Sequence, residues 1–325
     1  MRHVQVRRGG KLELIGIEIM DSTGSSALFS EGDLTVTNCS FSRCVAGTND
    51  IMRSVDSAVT TGGAALRALG GAIQARGTEA TLRSTGSSFV ACAAQGAKFA
   101  NHGGAVYAAA MVHIDTTRFD SNYVEGGSFE TGGGALYIQA RRLDIADSEF
   151  ISNKAIGHVA ATGGAVRLED CTSFMTLVTD NFTDRFPNFC TGAKSDCGAE
   201  LRAVTFRHNE ASGGSSRVKG GALYVTYPAL CVNLTDSSFE TNSAEDSKGN
   251  TEGGAVQVNQ DSILKIETSR FVRNTAKGAT DQVRSPSHCN HSVTAQHLHA
   301  HTTMYTHART RILEWHKSSS DEATP

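Results

Sequence analysis

Gly103 to Asn122 reads GGAVYAAAMVHIDTTRFDSN, and Gly133 to Asn153 reads GGALYIQARRLDIADSEFISN. Both stretches begin with Gly-Gly-Ala and an apolar residue, continue through alternating apolar and polar positions, and close on Phe-x-x-Asn. Alternation with a period of two is typical of a β-strand that has one buried face. Two successive copies of so long a pattern predict a structural repeat of the size found in solenoids.

The Phe-x-x-Asn half of the pattern extends over most of the chain. A Phe recurs mostly at intervals of about 30 residues, at Phe41, Phe89, Phe119, Phe150, Phe182, Phe206, Phe239 and Phe271. Asn follows three residues later at Asn122, Asn153, Asn209, Asn242 and Asn274, whereas Cys44, Cys92 and Arg185 take that place in the other copies. Apolar pairs seven and five residues before the Phe, such as Val112 and Ile114, predict a strand that leads into it.

The Gly-Gly-Ala motif marks the start of a second predicted strand. Its glycine pairs are Gly70-Gly71, Gly103-Gly104, Gly133-Gly134, Gly163-Gly164, Gly220-Gly221 and Gly253-Gly254. Glycine at these positions permits positive φ and close approach of a neighbouring backbone. One coil is therefore predicted as a glycine turn, a strand, a short turn, a second strand, the Phe, the Asn and a variable loop.

A single coil of this kind cannot bury its own apolar row, so successive coils must pair in register about 4.8 Å apart. The sequence thus predicts an all-β fold over residues 1–280. The expected architecture is a right-handed parallel β-helix, or solenoid, of roughly nine coils. The Phe rings should form an interior column and the Asn amides a hydrogen-bonded ladder, so these repeat residues are assigned to folding rather than to chemistry.

The composition excludes several classes of function. The 325 residues include 33 glycines and only four prolines, and the formal net charge is −3. That charge gives no basic field for nucleic acid, and no apolar run of about 18 residues is present to span a bilayer as a transmembrane segment. The stretch from Met1 to Gly10 is basic but lacks the apolar core of a signal peptide. No cofactor is expected.

The alternation of Gly-Gly-Ala-[Ile/Leu/Val] with Phe-x-x-Asn resembles the repeats of the chlamydial polymorphic outer membrane protein family. The resemblance covers roughly Leu34 to Ala276. It implies a β-helical region displayed on the cell surface, at the outer membrane or outside the cell, that acts in adhesion. It carries over no catalytic residues. The expected role is a non-enzymatic scaffold that binds a protein or carbohydrate ligand and forms a fragment of a larger protein.

Three regions depart from the regular repeat. Variable loops, expected to carry any binding specificity, are predicted at Ala93–His102, Tyr123–Gly132, Glu210–Lys219 and Ser243–Glu252. The coil between Phe182 and Phe206 is short, as if one strand were missing or the gene model were faulty. Residues 281–325 form a His-rich, low-complexity tail that is expected to be disordered. Its alternating histidines, His297, His299 and His301, have no carboxylate or Cys frame, so no metal site is predicted there.

An enzyme is the alternative, because pectin-lyase-like polysaccharide lyases and hydrolases also use a parallel β-helix. The candidate carboxylates are Asp115, Asp144 and Asp147, with His113, Arg141 and Arg142 nearby on two adjacent coils. Paired carboxylates about 5 to 10 Å apart can act as acid and base on an acidic polysaccharide. Outward charges on strands are more often solvated surface.

Cys44 and Cys92 occupy the Asn position in two copies of the repeat that should be neighbours in space. Their Cα atoms should then lie about one strand spacing apart, which is within the range of a disulfide. Either a disulfide or a pair of buried thiols fits this position.

Overall fold

The computed structural model describes residues 4–47, 67–97, 100–139, 142–169, 198–226, 231–246, 249–258, 262–278 and 299–301. These residues form strands and tight turns, and no helix occurs among them. Neighbouring strands pair in parallel, with Phe opposite Phe and Ala opposite Ala in successive copies of the repeat. The predictions of an all-β fold and of parallel stacking are confirmed.

Strands are numbered in chain order. The first half contains β1 (Val4–Val6), β2 (Lys11–Ile15), β3 (Glu18–Met20), β4 (Leu28–Ser30), β5 (Asp33–Thr37), β6 (Ser40–Ser42), β7 (Val45–Ala46), β8 (Arg67–Leu69), β9 (Ile73–Thr85), β10 (Ser88–Val90), β11 (Ala93–Gln95), β12 (Ala100–His102), β13 (Val106–Asp115), β14 (Arg118–Asp120), β15 (Tyr123–Glu125), β16 (Glu130–Gly132), β17 (Leu136–Ile138) and β18 (Arg142–Ala146). The second half contains β19 (Glu149–Ile151), β20 (Lys154–Gly157), β21 (Ala160–Thr162), β22 (Val166–Glu169), β23 (Gly198–Arg202), β24 (Thr205–Arg207), β25 (Glu210–Gly213), β26 (Arg217–Lys219), β27 (Leu223–Thr226), β28 (Cys231–Thr235), β29 (Ser238–Glu240), β30 (Ser243–Glu245), β31 (Asn250–Glu252), β32 (Val256–Val258), β33 (Ile263–Glu267), β34 (Arg270–Val272), β35 (Thr275–Lys277) and β36 (His299–His301).

One coil of the solenoid contributes strands to four parallel sheets. In the coil that begins at Tyr123, β15 belongs to a 7-stranded sheet, β16 to a 6-stranded sheet, β17 and β18 to a 14-stranded sheet and β19 to a 9-stranded sheet. Strand β20 then returns beside β15, with Ala155 opposite Val124. The chain therefore winds as a parallel β-solenoid around one apolar interior.

The four predicted variable loops are instead strands of this solenoid. The stretch from Tyr123 to Gly132, for example, contains β15 and β16, and only four residues join them. Each first strand turns one small side chain inward: Ala94, Val124, Ala211 and Ala244, all fully buried. The sequence prediction was wrong here because strands of three or four residues with a single inward Ala or Val give too little apolar alternation to be recognised.

The Phe side chains form one interior column. Phe41, Phe89, Phe119, Phe150, Phe206, Phe239 and Phe271 stack with ring centroids 4.6 to 5.0 Å apart and planes within 12°. The first six of these rings are fully buried. Ile19 continues the column on β3, so an aliphatic side chain takes the place of a ring in the first coil.

Phe182 has no place between Phe150 and Phe206 in this column. Strand β19 pairs directly with β24, so Phe150 lies opposite Phe206. The expected short coil around Phe182 is therefore wrong. Residues 170–197, which include Phe182 and Arg185, lie outside the described residues and join β22 to β23 as an insertion within one coil. The spacing of the Phe residues gave the wrong prediction, because this insertion happens to contain a Phe at about the repeat distance from Phe150.

The Asn side chains form a ladder inside the solenoid. The Nδ2 of Asn122 donates to the carbonyl oxygen of Phe89 at 2.9 Å and to the Oδ1 of Asn153 at 3.0 Å. That same Oδ1 also accepts the backbone N–H of Asn122 at 3.1 Å. Asn153, Asn209 and Asn242 repeat the arrangement with the next coil. Because every amide group is paired, these fully buried polar side chains stabilise the turn that follows the Phe.

A second polar ladder lies two residues before each Phe, and the sequence analysis did not predict it. The Oγ of Ser148 accepts the backbone N–H of Thr117 at 3.1 Å and donates to the carbonyl oxygen of Ala146 at 2.6 Å. The column consists of Cys39, Ser87, Thr117, Ser148, Val204, Ser237 and Ser269. The recurrence of Ser, Thr or Cys at this fixed distance from the Phe is the signal that would have predicted it.

The two glycines of each pair have different roles. Gly133 has a φ of +67°, a conformation that residues with a Cβ rarely adopt. Gly134 lacks a positive φ, but a Cβ there would lie 2.6 Å from the backbone nitrogen of Lys154 and closer still to the carbonyl oxygen of Gly164. The first glycine therefore makes the turn, and the second lets neighbouring backbones meet.

Of the predicted tail, only residues 299–301 are described. They form β36, which pairs with β34 so that Ala300 lies opposite Phe271. His297 lies outside the described residues.

Candidate binding surface

The outward positions of β9, β13, β18, β23, β28 and β33 form a continuous polar surface, named here the mixed-charge face. Its central column consists of Arg83, His113, Asp144, Glu200, Asn233 and Lys265, which are opposite one another in successive coils. The column therefore has a cation at each end, Arg83 and Lys265, and carboxylates at its centre, and its six side chains are exposed or half-buried. The inward positions between them, such as Leu143 and Ile145, are buried core.

Asp144, one of the candidate catalytic carboxylates, lies at the centre of this face with two nitrogen partners. The Nδ1 of His113 is 2.9 Å from its Oδ2, and the Nε of Arg142 is 3.0 Å from the same oxygen. Partial burial lowers the pKa of His113 from its ordinary value, and nearby Arg83 and Arg142 act in the same direction against the attraction of Asp144. The lowered pKa favours the neutral imidazole, and its Nδ1 lies within hydrogen-bond distance of the carboxylate.

The other two candidate carboxylates lie near Asp144. Asp115 is the last residue of β13, on the preceding coil, and Asp147 directly follows β18. Asp115 is opposite Ala146, two residues beyond the His113–Asp144 pair, and is exposed. Two residues of strand rise and one strand spacing place the Cα atoms of Asp115 and Asp144 about 8 Å apart. Asp147 begins the following turn with a φ of 47° and lies 3.4 Å from an Nη of Arg202. Arg141 lies outside the described residues.

Charged side chains pair between coils on the other faces as well. Examples are Arg118–Glu149 at 3.0 Å, Lys154–Glu210 at 3.0 Å, Lys219–Glu252 at 3.5 Å and Arg270–Glu240 at 4.0 Å. Glu210 shows two opposing effects. Burial raises the pKa of its carboxyl, but hydrogen bonds with Ser212 and Lys154 lower it by more, so the pKa is below its ordinary value. Each exposed pair contributes little stability alone. Together they align opposite charges along the stack.

An aromatic and cationic cluster lies outside the glycine turns in the middle of the stack. The guanidinium of Arg167 lies 5.1 Å from the ring centre of Tyr137 and 5.7 Å from that of Tyr224. Arg167 also donates to Thr162 at 2.8 Å and to Glu130 at 2.8 Å. The side chain of Arg167 is only 4% exposed, so this outward-facing cluster is closed to ligands and stabilises the corner.

The sequence contains a signal for this cluster that was not recognised. Tyr107, Tyr137, Arg167 and Tyr224 each lie two residues after the Ala of a Gly-Gly-Ala motif.

An open depression of about 660 Å³ lies away from the candidate carboxylates. It is lined by the turns at Gly9-Gly10 and Glu31-Gly32, by Gly77 of β9 and by charged side chains of both signs that include Arg8 and Asp33. In this depression the Oδ1 of Asp33 accepts the backbone N–H of Thr81 at 3.1 Å. This contact joins β9 to β5, and none of Asp115, Asp144 and Asp147 lines the depression.

Cys44 and Cys92 lie side by side in the Asn column, because Phe41 pairs with Phe89 and Val45 with Ala93 on either side of them. Both thiols are free and fully buried. A hydrogen bond between them lowers the pKa of Cys44 and raises that of Cys92, which burial raises further. The structure thus contains the thiol pair rather than the disulfide.

In the part of the chain that the structure describes, no group of three or more His, Cys, Asp and Glu side chains is placed to hold a metal ion. Nor does this part contain a helix long and apolar enough to cross a membrane. Comparisons with models of protein families, with curated proteins and with solved structures gave no match.

Proposed function

We propose that this chain is a non-enzymatic β-solenoid scaffold that binds an extended protein or carbohydrate ligand along the mixed-charge face. The observation that carries the proposal is the continuous column from Arg83 to Lys265, in which charged and polar side chains, with charges of both signs, are aligned across six strands. A surface of this length, built from parallel strands, is suited to a polymer or a protein surface rather than to a small molecule, which prefers a concave pocket.

The repeat motifs support a location of this scaffold at the cell surface, in the outer membrane or outside the cell. Gly-Gly-Ala-apolar and Phe-x-x-Asn alternate here as in the chlamydial polymorphic outer membrane repeats, which are right-handed parallel β-helices. By the same resemblance we propose a right-handed β-helix of roughly nine coils that is part of a larger adhesive protein.

A polysaccharide lyase or hydrolase is the second candidate, because Asp115 and Asp144 lie on the same face with Cα atoms about 8 Å apart, and a pair of carboxylates near a glycosidic bond can act as acid and base. The contacts of Asp144 argue against it. A general acid needs a carboxyl in apolar surroundings, whereas Asp144 is half-exposed and lies 2.9 Å from His113 and 3.0 Å from Arg142.

The test is binding of the recombinant chain to a printed array of cell-surface glycans and matrix proteins. In the face variant, Arg83→Glu is combined with Arg202→Glu on the mixed-charge face. In the control variant, Arg118→Glu is combined with Arg207→Glu on the 9-stranded sheet, which gives the same change in net charge. We expect wild type and control to bind alike and the face variant to bind about tenfold more weakly or less.

Equal loss in both variants, or no binding by the wild type, would contradict the proposal. The enzyme alternative is tested separately by incubating the chain with polygalacturonate and measuring polymer length. Shortening that Asp144→Asn abolishes would establish catalysis instead.

A further inference from the structure

Two cysteines occupy the Asn column in adjacent coils. Cys44 lies between β6 and β7, and Cys92 lies between β10 and β11. Because β6 pairs with β10 and β7 pairs with β11, the two turns stack in register. The carbonyl oxygen of Cys44 accepts the backbone N–H of Ala93 at 2.8 Å. The Cα atoms of the two cysteines are therefore one strand spacing apart, at about 4.8 Å.

Both turns also have the same backbone conformation. The residue before each cysteine is left-handed, with a φ of 51° at Arg43 and 52° at Ala91. The side chains of Cys44 and Cys92 thus leave the chain in the same direction, and both are fully buried. The Sγ of each cysteine lies 3.6 Å from the carbonyl oxygen two residues earlier in the chain. Equivalent turns that stack in this way place the two thiols side by side.

The two thiols also differ in their readiness to ionise. The hydrogen bond between them lowers the pKa of Cys44 and raises that of Cys92, and burial raises the pKa of Cys92 further. Cys44 therefore gives the thiolate more easily, and the thiolate is the form that attacks a disulfide. The pair thus contains one nucleophile and one neighbouring thiol to complete an exchange.

The spacing of the pair suits a covalent bond. A Cα separation of about 4.8 Å lies within the range of about 4.4 to 6.8 Å that disulfides span. Rotation of the two side chains about their Cα–Cβ bonds brings the sulfurs toward each other. Cys39, a third buried thiol, provides the contrast, because its backbone N–H donates at 3.1 Å to the hydroxyl of Ser87 in the next coil. Its column neighbour in that coil is thus a serine.

We propose that Cys44 and Cys92 are the site of a disulfide cross-link between the coil of β6 and the coil of β10, formed by exchange with a small-molecule or protein disulfide. At the same position of other coils, neighbouring Asn side chains are joined by hydrogen bonds. The cross-link replaces that contact with a covalent bond. The proposal does not depend on ligand binding by the mixed-charge face, and the location proposed above is one where disulfides form and persist.

The reaction is a thiol–disulfide exchange in two steps. The Cys44 thiolate attacks one sulfur of the donor disulfide, which breaks the donor S–S bond, forms a mixed disulfide and releases one donor thiolate. The Cys92 thiolate then attacks the sulfur of Cys44, forms the S–S bond between the coils and releases the second donor thiolate. Two protein thiols are oxidised, the donor is reduced to two thiols, and the two protons from the protein thiols end on the donor.

Burial of the pair decides when this exchange takes place. Because both thiols are fully buried in the folded chain, the donor reaches Cys44 before the coil of β10 closes over that of β6, or in a local opening of the two turns. Stacking of the coils then brings Cys92 to the mixed disulfide. The finished bond closes a loop over residues 45–91, which restricts the unfolded chain and stabilises the folded one.

The first test is a peptide map of the full chain after refolding in a mixture of reduced and oxidised glutathione. Free thiols are then blocked with iodoacetamide, and the chain is digested with trypsin without reduction. Trypsin cuts after Arg43, so Cys39 and Cys44 fall in different peptides, and Cys92 falls in a third. We expect the peptides of Cys44 and Cys92 to be joined to each other, to separate with dithiothreitol, and not to be joined to that of Cys39.

The second test compares melting temperatures with and without reductant. The oxidised wild type should melt about 5 °C above the reduced wild type. A Cys39→Ser control should keep this difference, whereas a variant with both Cys44→Ser and Cys92→Ser should lose it. Recovery of Cys44 and Cys92 as alkylated thiols, or joined to other cysteines as often as to each other, would overturn the proposal. The peptide map needs no variant, so it decides the matter even where the double variant does not fold.

Discussion

Phe150 lies on Phe206, with ring centroids 5.0 Å apart and planes inclined by 11°. The same separation of 56 positions lies between Asn153 and Asn209, which hydrogen-bond in the next column. Neighbours in the solenoid are therefore set by pairing register, not by distance along the chain. Residues 170–197 interrupt a coil without interrupting either column.

Replacing Phe150 with Ala should cost about 3 to 5 kcal/mol of unfolding free energy, because the ring is fully buried between two others and its removal leaves a cavity. Urea denaturation gives the value. The half-buried Phe271 is a matched control, since the same change there should cost less. A loss below about 1 kcal/mol at Phe150 would contradict its interior position.

Replacing residues 170–197 with a four-residue linker should leave the melting temperature unchanged within a few degrees. Strands β27 and β28, one coil further on, are joined by four residues between Thr226 and Cys231, so the shorter connection spans the same gap. Loop-closure entropy changes slowly with loop length, so the linker costs no stability. Loss of the cooperative unfolding transition would show that the insertion takes part in the fold.

Replacing Cys92 with Asn should stabilise the chain by about 1 kcal/mol, because it extends the Asn ladder by one member. The Sγ of Cys92 lies 3.6 Å from the carbonyl oxygen of Phe41, the position that the Nδ2 of Asn122 takes toward Phe89. The control is Cys39→Asn, which places an amide in the hydroxyl column and should destabilise. Equal melting shifts in both variants would show that the ladder has no such position.

Replacing Gly134 with Ala should cost about 3 kcal/mol, because the new methyl group would meet backbone atoms of the next coil that cannot move without breaking the stack. Gly47→Ala is the control, since the nearest atom to its Cβ is 3.9 Å away. Thermal melts of both variants measure the difference. Equal melting temperatures would contradict the close approach of backbones at Gly134.

Stability should fall as the pH drops below about 6.5 in a way that depends on His113. Burial lowers the pKa of His113 from its ordinary value of 6.5, so the unfolded chain binds this proton more readily than the folded chain. Protonation therefore favours unfolding, and the effect is absent above the unfolded pKa. His113→Gln keeps a hydrogen-bond donor for Asp144 but should reduce the loss of stability between pH 7.5 and 5, measured by urea denaturation. An NMR titration that gives His113 a pKa above 6.5 would reverse the sign.

The candidate surface was only partly predictable from sequence. Asp115, Asp144 and Asp147 were placed correctly on adjacent coils, because the Phe and the apolar pairs set the register of β13 and β18. Their charged partners were not predicted. Arg202, the partner of Asp147, is separated from it in the sequence by the insertion of residues 170–197. The strands β11, β12, β15 and β16 were taken for loops, because three-residue strands with small or polar inward side chains give too little apolar alternation to be recognised.

The sequence by itself determined the repeat, the parallel stacking, the interior Phe and Asn columns and the glycine turns. It did so because each coil repeats the same apolar and turn-forming residues, and these dictate local conformation and burial without knowledge of distant contacts. Tertiary structure alone decided that Phe150 meets Phe206, that outward residues such as Tyr137 and Arg167 are buried at a corner, and that Asp144 is shared by His113 and Arg142. These contacts depend on which coils become neighbours, and a chain with an insertion inside a coil reveals that only when the strands pair.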